Sequence, residues 1–225
     1  MVVGWLTAFL DRPASRVGAA VDFWTRVTGT TRSPVRGERG EFATFRPDPD
    51  DGDAYLRVQT VLDGPGGGHL DVHVADPLAT VPRAVDLGAG VRWLDGYATL
   101  ISPAGLRWCL VPERGVAGST LLRPAPVRRD DGVRSLVDQL CLDVPPAAFE
   151  TECAFWTAFT GWPLRAGPSP QVAVLDGPEA LPLRLALRKL AADPVDGVAG
   201  CHLDLATSDV EREVARHLGW GARVA

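Results

Sequence analysis

In the stretch GGGHLDVHVADP, His69, Asp71 and His73 occupy alternate positions. An extended chain places all three on one face, because strand side chains alternate with a period of two. Two imidazoles and a carboxylate in a row can ligate a divalent ion or relay a proton. Spacing limits the first option. Same-face neighbours lie about 6–7 Å apart and His69 and His73 about 13 Å apart. One ion cannot bind both imidazoles through bonds of about 2 Å. His69 and Asp71 recur as His202 and Asp204 in HLDLATSD, whereas His73 becomes Ala206. A pair that occurs twice is expected to serve something both copies share. The plain reading is hydrogen bonding to neighbouring strands, since buried polar groups need partners; the sharper one is that the pair faces a ligand. His73, which has no counterpart, is the candidate for a task particular to the first half.

The elements that must position these residues are themselves repeated. FLDRPASRVGAAVDFWTRVTG (9–29) aligns without a gap on CLDVPPAAFETECAFWTAFTG (141–161). Leu10, Asp11, Pro13, Phe23, Trp24, Thr25, Thr28 and Gly29 all meet their own residue type there. The order of motifs divides the chain into a first unit over 1–113, a Pro-, Arg- and Gly-rich linker over 114–133, and a second unit over 134–225. Each unit repeats again more faintly, WLTAFLDRP against HLDVHVADP. The pattern predicts strands near 4–10, 41–46, 54–61, 68–74, 90–94, 97–101 and 106–111. Helices are predicted over 14–28 and 77–88. Val17, Ala20, Val21, Trp24 and Val27 recur at helical spacing, and Gly29 and Gly88 stand as helix terminators. The linker is expected to hold no element of its own. The second unit carries no counterpart of RWLDGYATLISPAGLRWCLVPE and is expected to lack its closing hairpin: either the sequence is cut short there, or the linker or another copy of the chain, as in a homodimer, covers the apolar edge. The first unit is therefore the better place for a complete pocket.

Composition narrows the functions. The 225 residues are 46% hydrophobic and 23% charged, with a net charge of −5. No basic field exists to hold a phosphate backbone, so nucleic acid is not an expected partner. No apolar run approaches the ~20 residues of a membrane span, and the N-terminal segment reads as a strand rather than a signal peptide. Cys109, Cys141, Cys153 and Cys201 are widely separated, which predicts reduced thiols in a cytoplasmic protein. Few Lys and abundant Ala, Arg, Gly and Pro suggest a GC-rich bacterial source. Phosphate loops, dinucleotide fingerprints and nucleophile elbows are absent from the sequence.

A unit of strand, helix and three strands used four times, with AVDFWTRVTG matched by ECAFWTAFTG, GHLDVHVAD by CHLDLATSD, and a SPAGLRWCLVPE closing hairpin, resembles the vicinal oxygen chelate superfamily. That group includes glyoxalase I, extradiol dioxygenases and bleomycin-resistance proteins. The resemblance implies an α+β fold of tandem, paired βαβββ modules curled into mixed sheets. It also implies a metal held by the first strand of each module and an acid on the last. Here the first-strand positions fall near Trp5, His69, Val137 and His202, and the closing strands AYLRVQTV and LRWCLV carry no carboxylate. The expectation is therefore no tightly held divalent cofactor, with His69 and His202 as the weak ligand candidates. The leading functional reading is a protein that binds a small organic molecule in the first cup. The rivals are a lyase, isomerase or dioxygenase using His69 with Asp71, His73 or Gln59, and a drug-sequestering protein of the bleomycin-resistance kind. Pocket candidates are His69, Asp71, His73, Arg57, Gln59 and the strand tryptophans Trp5, Trp93 and Trp108. His202 and Asp204 are their second-half equivalents.

Overall fold

The computed structural model describes residues 3–113 and 121–224. The first unit runs β1 (Trp5–Pro13), α1 (Ala14–Thr28), β2 (Thr31–Arg32), β3 (Phe42–Arg46) and β4 (Leu56–Val61). It continues with β5 (Gly67–Val74), α2 (Pro77–Asp86), β6 (Gly90–Leu94), β7 (Ala98–Ile101) and β8 (Arg107–Pro112). These strands form one eight-stranded sheet ordered β2-β3-β4-β1-β5-β8-β7-β6. Two βαβββ modules meet at its centre, where β1 and β5 run antiparallel; β4 pairs parallel with β1 and β8 parallel with β5. The fold is the α+β arrangement expected from the sequence.

Beyond it lie β9 (Val127–Arg128), β10 (Arg134–Val144), α3 (Phe149–Thr160), β11 (Leu164–Ala166), β12 (Val172–Leu175), β13 (Arg184–Lys189), β14 (Gly200–Thr207) and α4 (Val210–Gly219). The second sheet is ordered β11-β12-β13-β10-β14, with β9 against the start of β10. The pattern of the first sheet recurs: β13 is parallel and β14 antiparallel to β10. β9 corrects the expectation of an empty linker. This segment folds back because Asp53 and Leu122 exchange hydrogen bonds and Ala125 donates to Asp51. Residues 114–120 of the linker lie outside the described residues.

Local chemistry explains the helix limits. Asp76 caps α2 by accepting from the Ala79 N–H at 2.9 Å, and its repeat equivalent Asp209 caps α4 through Arg212. Gly29 and Gly161 close α1 and α3 in the left-handed region at φ 62° and 75°, where a Cβ is strained. All four cysteines are free. Among the described residues, no helix is long and apolar enough to cross a membrane.

One buried core runs through both halves. Trp108 points from β8 to the outer face of the first sheet, where Trp156 and Phe159 of α3 meet it at 5.1 and 4.9 Å between ring centroids. Two buried carboxylates brace the same junction. Glu152 accepts from Ala104 N and Trp156 Nε1. Glu213 accepts from Ser135 and from Arg129, whose guanidinium also caps the last carbonyls of α1. Removing Trp108 leaves a cavity at this junction. The W108A variant is expected to lose about 3–5 kcal/mol, read from urea unfolding. A midpoint equal to the native one would show that the cluster does not couple the halves.

Candidate functional site

The concave face of the first sheet encloses a cavity of about 680 Å³, within the size range of small-molecule sites. Register decides what enters it. Arg57, Phe9 and His69 form one transverse row across β4, β1 and β5, and Thr7, Asp71 and Cys109 form the next across β1, β5 and β8. The intervening residues, such as Leu6, Leu70 and Trp108, face the opposite side and are buried. Phe9, Phe42, Trp93 and Tyr97 supply aromatic walls, and Arg36, Arg92 and Arg107 stand at the rim.

The floor is a polar network on an aromatic base. The His69 ring stacks on Phe9 at 4.3 Å, with 13° between planes. Its Nδ1 donates to Asp11 Oδ2 at 2.8 Å, and its Nε2 faces Asp71 Oδ1 at 3.9 Å. Burial pushes the Asp71 carboxyl up to about 6, a rise that the nearby His69 moderates. Burial also pushes the Cys109 thiol up to about 12, reinforced by the charge of Asp71. Cys109 is therefore a neutral thiol rather than a nucleophile. Arg57 lies over the Phe9 ring at 5.4 Å, and its Nη1 is 3.8 Å from Asp71 Oδ2.

Of the sequence candidates, the structure brings Arg57, Gln59, His69, Asp71 and Trp93 to this cavity. The other three first-half candidates lie elsewhere. Trp108 is out of phase with Cys109 by one residue and turns to the outer core. Trp5 shares the inner face but is buried beyond the cavity, donating to Ala54 O. His73 lies opposite Trp5 and is a strut: Nε2 pairs with Thr7 Oγ1 at 2.9 Å and Nδ1 donates to Pro112 O at 3.2 Å. Burial drives its pKa down to about 4, so it stays neutral. The task particular to the first half is thus a tie between β1, β5 and β8. His202 and Asp204 lie on the second sheet, where His202 Nδ1 donates to Asp143 at 2.7 Å and Nε2 faces Asp204 at 3.3 Å. Asp11–His69–Asp71 and Asp143–His202–Asp204 are therefore the same arrangement made twice. The sequence reading missed Arg92 because a bulge between Val91 and Trp93 turns two consecutive residues toward the cavity. It missed Phe9 because only the strand pairing brings it beside His69, and Arg36 because only its bridge to Phe42 brings it to the cavity.

Two trios could offer donors to a metal: His69, Asp71 and Cys109, and Cys141, Asp143 and His202. Neither fits a divalent ion well. In the first, the Arg57 guanidinium already stands beside the carboxylate, and a neutral thiol is the third donor. Like charges at about 4 Å repel by about 4 kcal/mol per unit pair at an effective dielectric near 20. In the second, hydrogen bonds to Asp143 and then Asp204 push His202 up to about 11, so a metal would have to displace a tightly held proton from its imidazole. Arg188 also holds Asp143 at 2.7 Å.

His73 and Asp71 make opposite contributions to acid stability. His73 binds its proton less tightly folded than unfolded, so its contribution is lost as pH falls from 6.5 to 4. Asp71 keeps its proton longer when folded, so its contribution is lost as pH rises from about 4 to 6. Relative to the native protein, H73Q should gain up to about 3 kcal/mol on acidification through that window and D71N should lose a similar amount, at about 1.4 kcal/mol per pKa unit. Denaturant titrations at pH 4, 5, 6 and 7 measure both slopes, and parallel profiles for all three proteins would contradict the assignment.

A family model described as a glyoxalase-like domain matches residues 7–111 and 139–225. Among solved structures, a mutant of 4-hydroxymandelate synthase from Streptomyces coelicolor superimposes with a TM-score of 0.64 at 17% identity, covering 98% of this chain and 75% of that one. The 2,2',3-trihydroxybiphenyl 1,2-dioxygenase of Sphingomonas wittichii strain RW1 gives 0.60 at 16% identity, with 97% and 77% covered. The 2,3-dioxygenase LapB of Pseudomonas sp. KL28 gives 0.58 at 17%, with 95% and 77% covered. At such identities the likeness is one of fold. No curated protein matches the sequence. The two matched segments span most of the chain, which belongs to the glyoxalase-like domain family of the vicinal oxygen chelate superfamily.

Proposed function

We propose that the chain binds a small organic molecule in the first-half cavity and holds it without a divalent ion. The observation that carries this reading is the cavity itself: about 680 Å³, walled by aromatic rings and floored by convergent polar groups. Trp93 is 54% exposed, and a large ring left in water beside a cavity is the kind of surface that stacks on a planar ligand. Phe9 and His69, stacked on each other across β1 and β5, present fixed ring edges below. The His69–Asp11 hydrogen bond holds the imidazole with Nε2 toward the cavity, where it can meet a polar group of the ligand. Proteins of similar fold whose names describe dioxygenases act on ring compounds, which supports an aromatic occupant here.

A second reading, metal-assisted chemistry of the dioxygenase or lyase kind, has one observation in its favour. Donor atoms of His69, Asp71 and Cys109 lie within 4.8 Å of one another. Bound metal there would act as a Lewis acid on vicinal substrate oxygens, with His69 and Asp71 as its ligands.

Calorimetric titration of the purified protein with Fe(II), Ni(II) and Zn(II) is expected to show no stoichiometric site that H69A removes. A 1:1 site lost in both H69A and D71N would favour the second reading over the first. Screening aromatic compounds by quenching of tryptophan emission should find ligands whose signal falls at least several-fold in W93F, since six tryptophans remain elsewhere. Equal quenching in W93F and the native protein would place the ligand outside this cavity.

A further inference from the structure

Arg57 is the polar anomaly of the cavity. The residue is only 8% exposed, yet its Nε and Nη2 are buried without a hydrogen-bond partner among the described residues. Its Nη1 stands 3.8 Å from Asp71, beyond hydrogen-bond length. A structural ion pair would close that gap. Pairs that lock side chains elsewhere do close, as where Arg188 meets Asp143 at 2.7 Å and Arg184 meets Asp138 at 2.6 Å, while the open pair of Arg165 with Asp176 at 3.6 Å lies in solvent, where water completes both groups. A guanidinium held in a low-dielectric hollow with its N–H groups unpaired is costly unless an anion completes it. The same residue lines the cavity, has its guanidinium carbon 5.4 Å from the centroid of the Phe9 ring and stands on a strand whose inner face carries no carboxylate.

Resting on the reading that this cavity is a ligand site, we propose that Arg57 is its fixed cation: it anchors the carboxylate of an aromatic monoacid in the place where a metal would otherwise supply positive charge. A guanidinium matches a carboxylate because two parallel N–H bonds can meet two oxygens. The ring of the ligand then lies against the Trp93 indole, above the row made by Arg57, Phe9 and His69. Asp71 limits the charge: its carboxyl beside the guanidinium repels a dianion, which favours a carboxylate over a phosphate. Arg36, Arg92 and Arg107 at the rim add a positive field that draws anions toward the mouth.

Benzoate, 4-hydroxybenzoate and phenylacetate are titrated into chelator-treated protein beside their carboxamides, with binding read by calorimetry and tryptophan emission. At least one acid is expected to bind with tenfold or greater preference over its amide, weakening as salt is raised. R57M should bring acid and amide to within about threefold of each other. R57K, which retains the charge, should keep part of the preference and guards against a folding defect in R57M. Acid and amide binding equally to the native protein would overturn the Arg57 anchor while leaving the cavity a ligand site. Binding that the chelator abolishes and R57M leaves intact would assign the anchor to a metal instead. Failure of acids and amides alike to bind would overturn both the anchor and the ligand-site reading.

Discussion

The antiparallel pairing of β1 with β5 is the interaction on which the site depends. It joins the two modules of the first sheet, and its register sets Phe9 opposite His69 and Thr7 opposite Asp71. Because side chains alternate with period two, a slip of β1 by one residue would exchange its inner face for its outer one. Leu6, Ala8 and Leu10 would then enter the cup and Phe9 would meet the helices, parting from His69 on β5. The buried residues on the outer face and the His73 strut oppose such a slip. Most of the packing thus lies on the outer face of these strands, and the candidate site shares the inner face with the His73 strut.

This division shows why some of the molecule is legible in its sequence and some is not. The repeat gives the modules, and alternation gives the face shared by His69 and Asp71. Helix ends follow from Asp76, Gly29 and their counterparts, since capping is a local matter. The site residues that come from other strands are less accessible. Phe9 reads as one apolar residue among several until β1 is known to lie beside β5. Arg92 is hidden by a bulge, which no periodicity anticipates. Trp108 illustrates the reverse error: an aromatic on an inner strand suggests a pocket, but its neighbour Cys109 takes the inner face and the indole joins α3. Only pairing across the halves reveals that contact, because α3 lies far along the chain.

The two halves also provide an internal comparison of polar networks. Each contains an aspartate, a histidine and a second aspartate in the same places on the sheet. In the second half that trio is electrostatically closed, with His202 charged between two carboxylates and Arg188 bonded to Asp143. Such a group has satisfied its charges internally and has little to offer a ligand. In the first half the trio is closed only on one side, where His69 meets Asp11. Its other side faces a cavity, with a carboxyl whose proton affinity is raised and an arginine that reaches no acceptor.

The difference between the two copies bears on how a scaffold with a shared cup supports different chemistry. A metal ion requires several anionic or neutral donors to converge on one point and to leave coordination positions open. Placing an arginine among those donors supplies the positive charge permanently and opposes a second cation by simple repulsion. Under the proposed Arg57 anchor, the hollow would attract an anion and orient an aromatic ring with a charge carried by the chain. That substitution needs only one side chain on β4, since the register already aims position 57 at the row occupied by Phe9 and His69. The same backbone can therefore present either a cradle for a metal or a fixed cation, and here the inner face of β4 carries the latter.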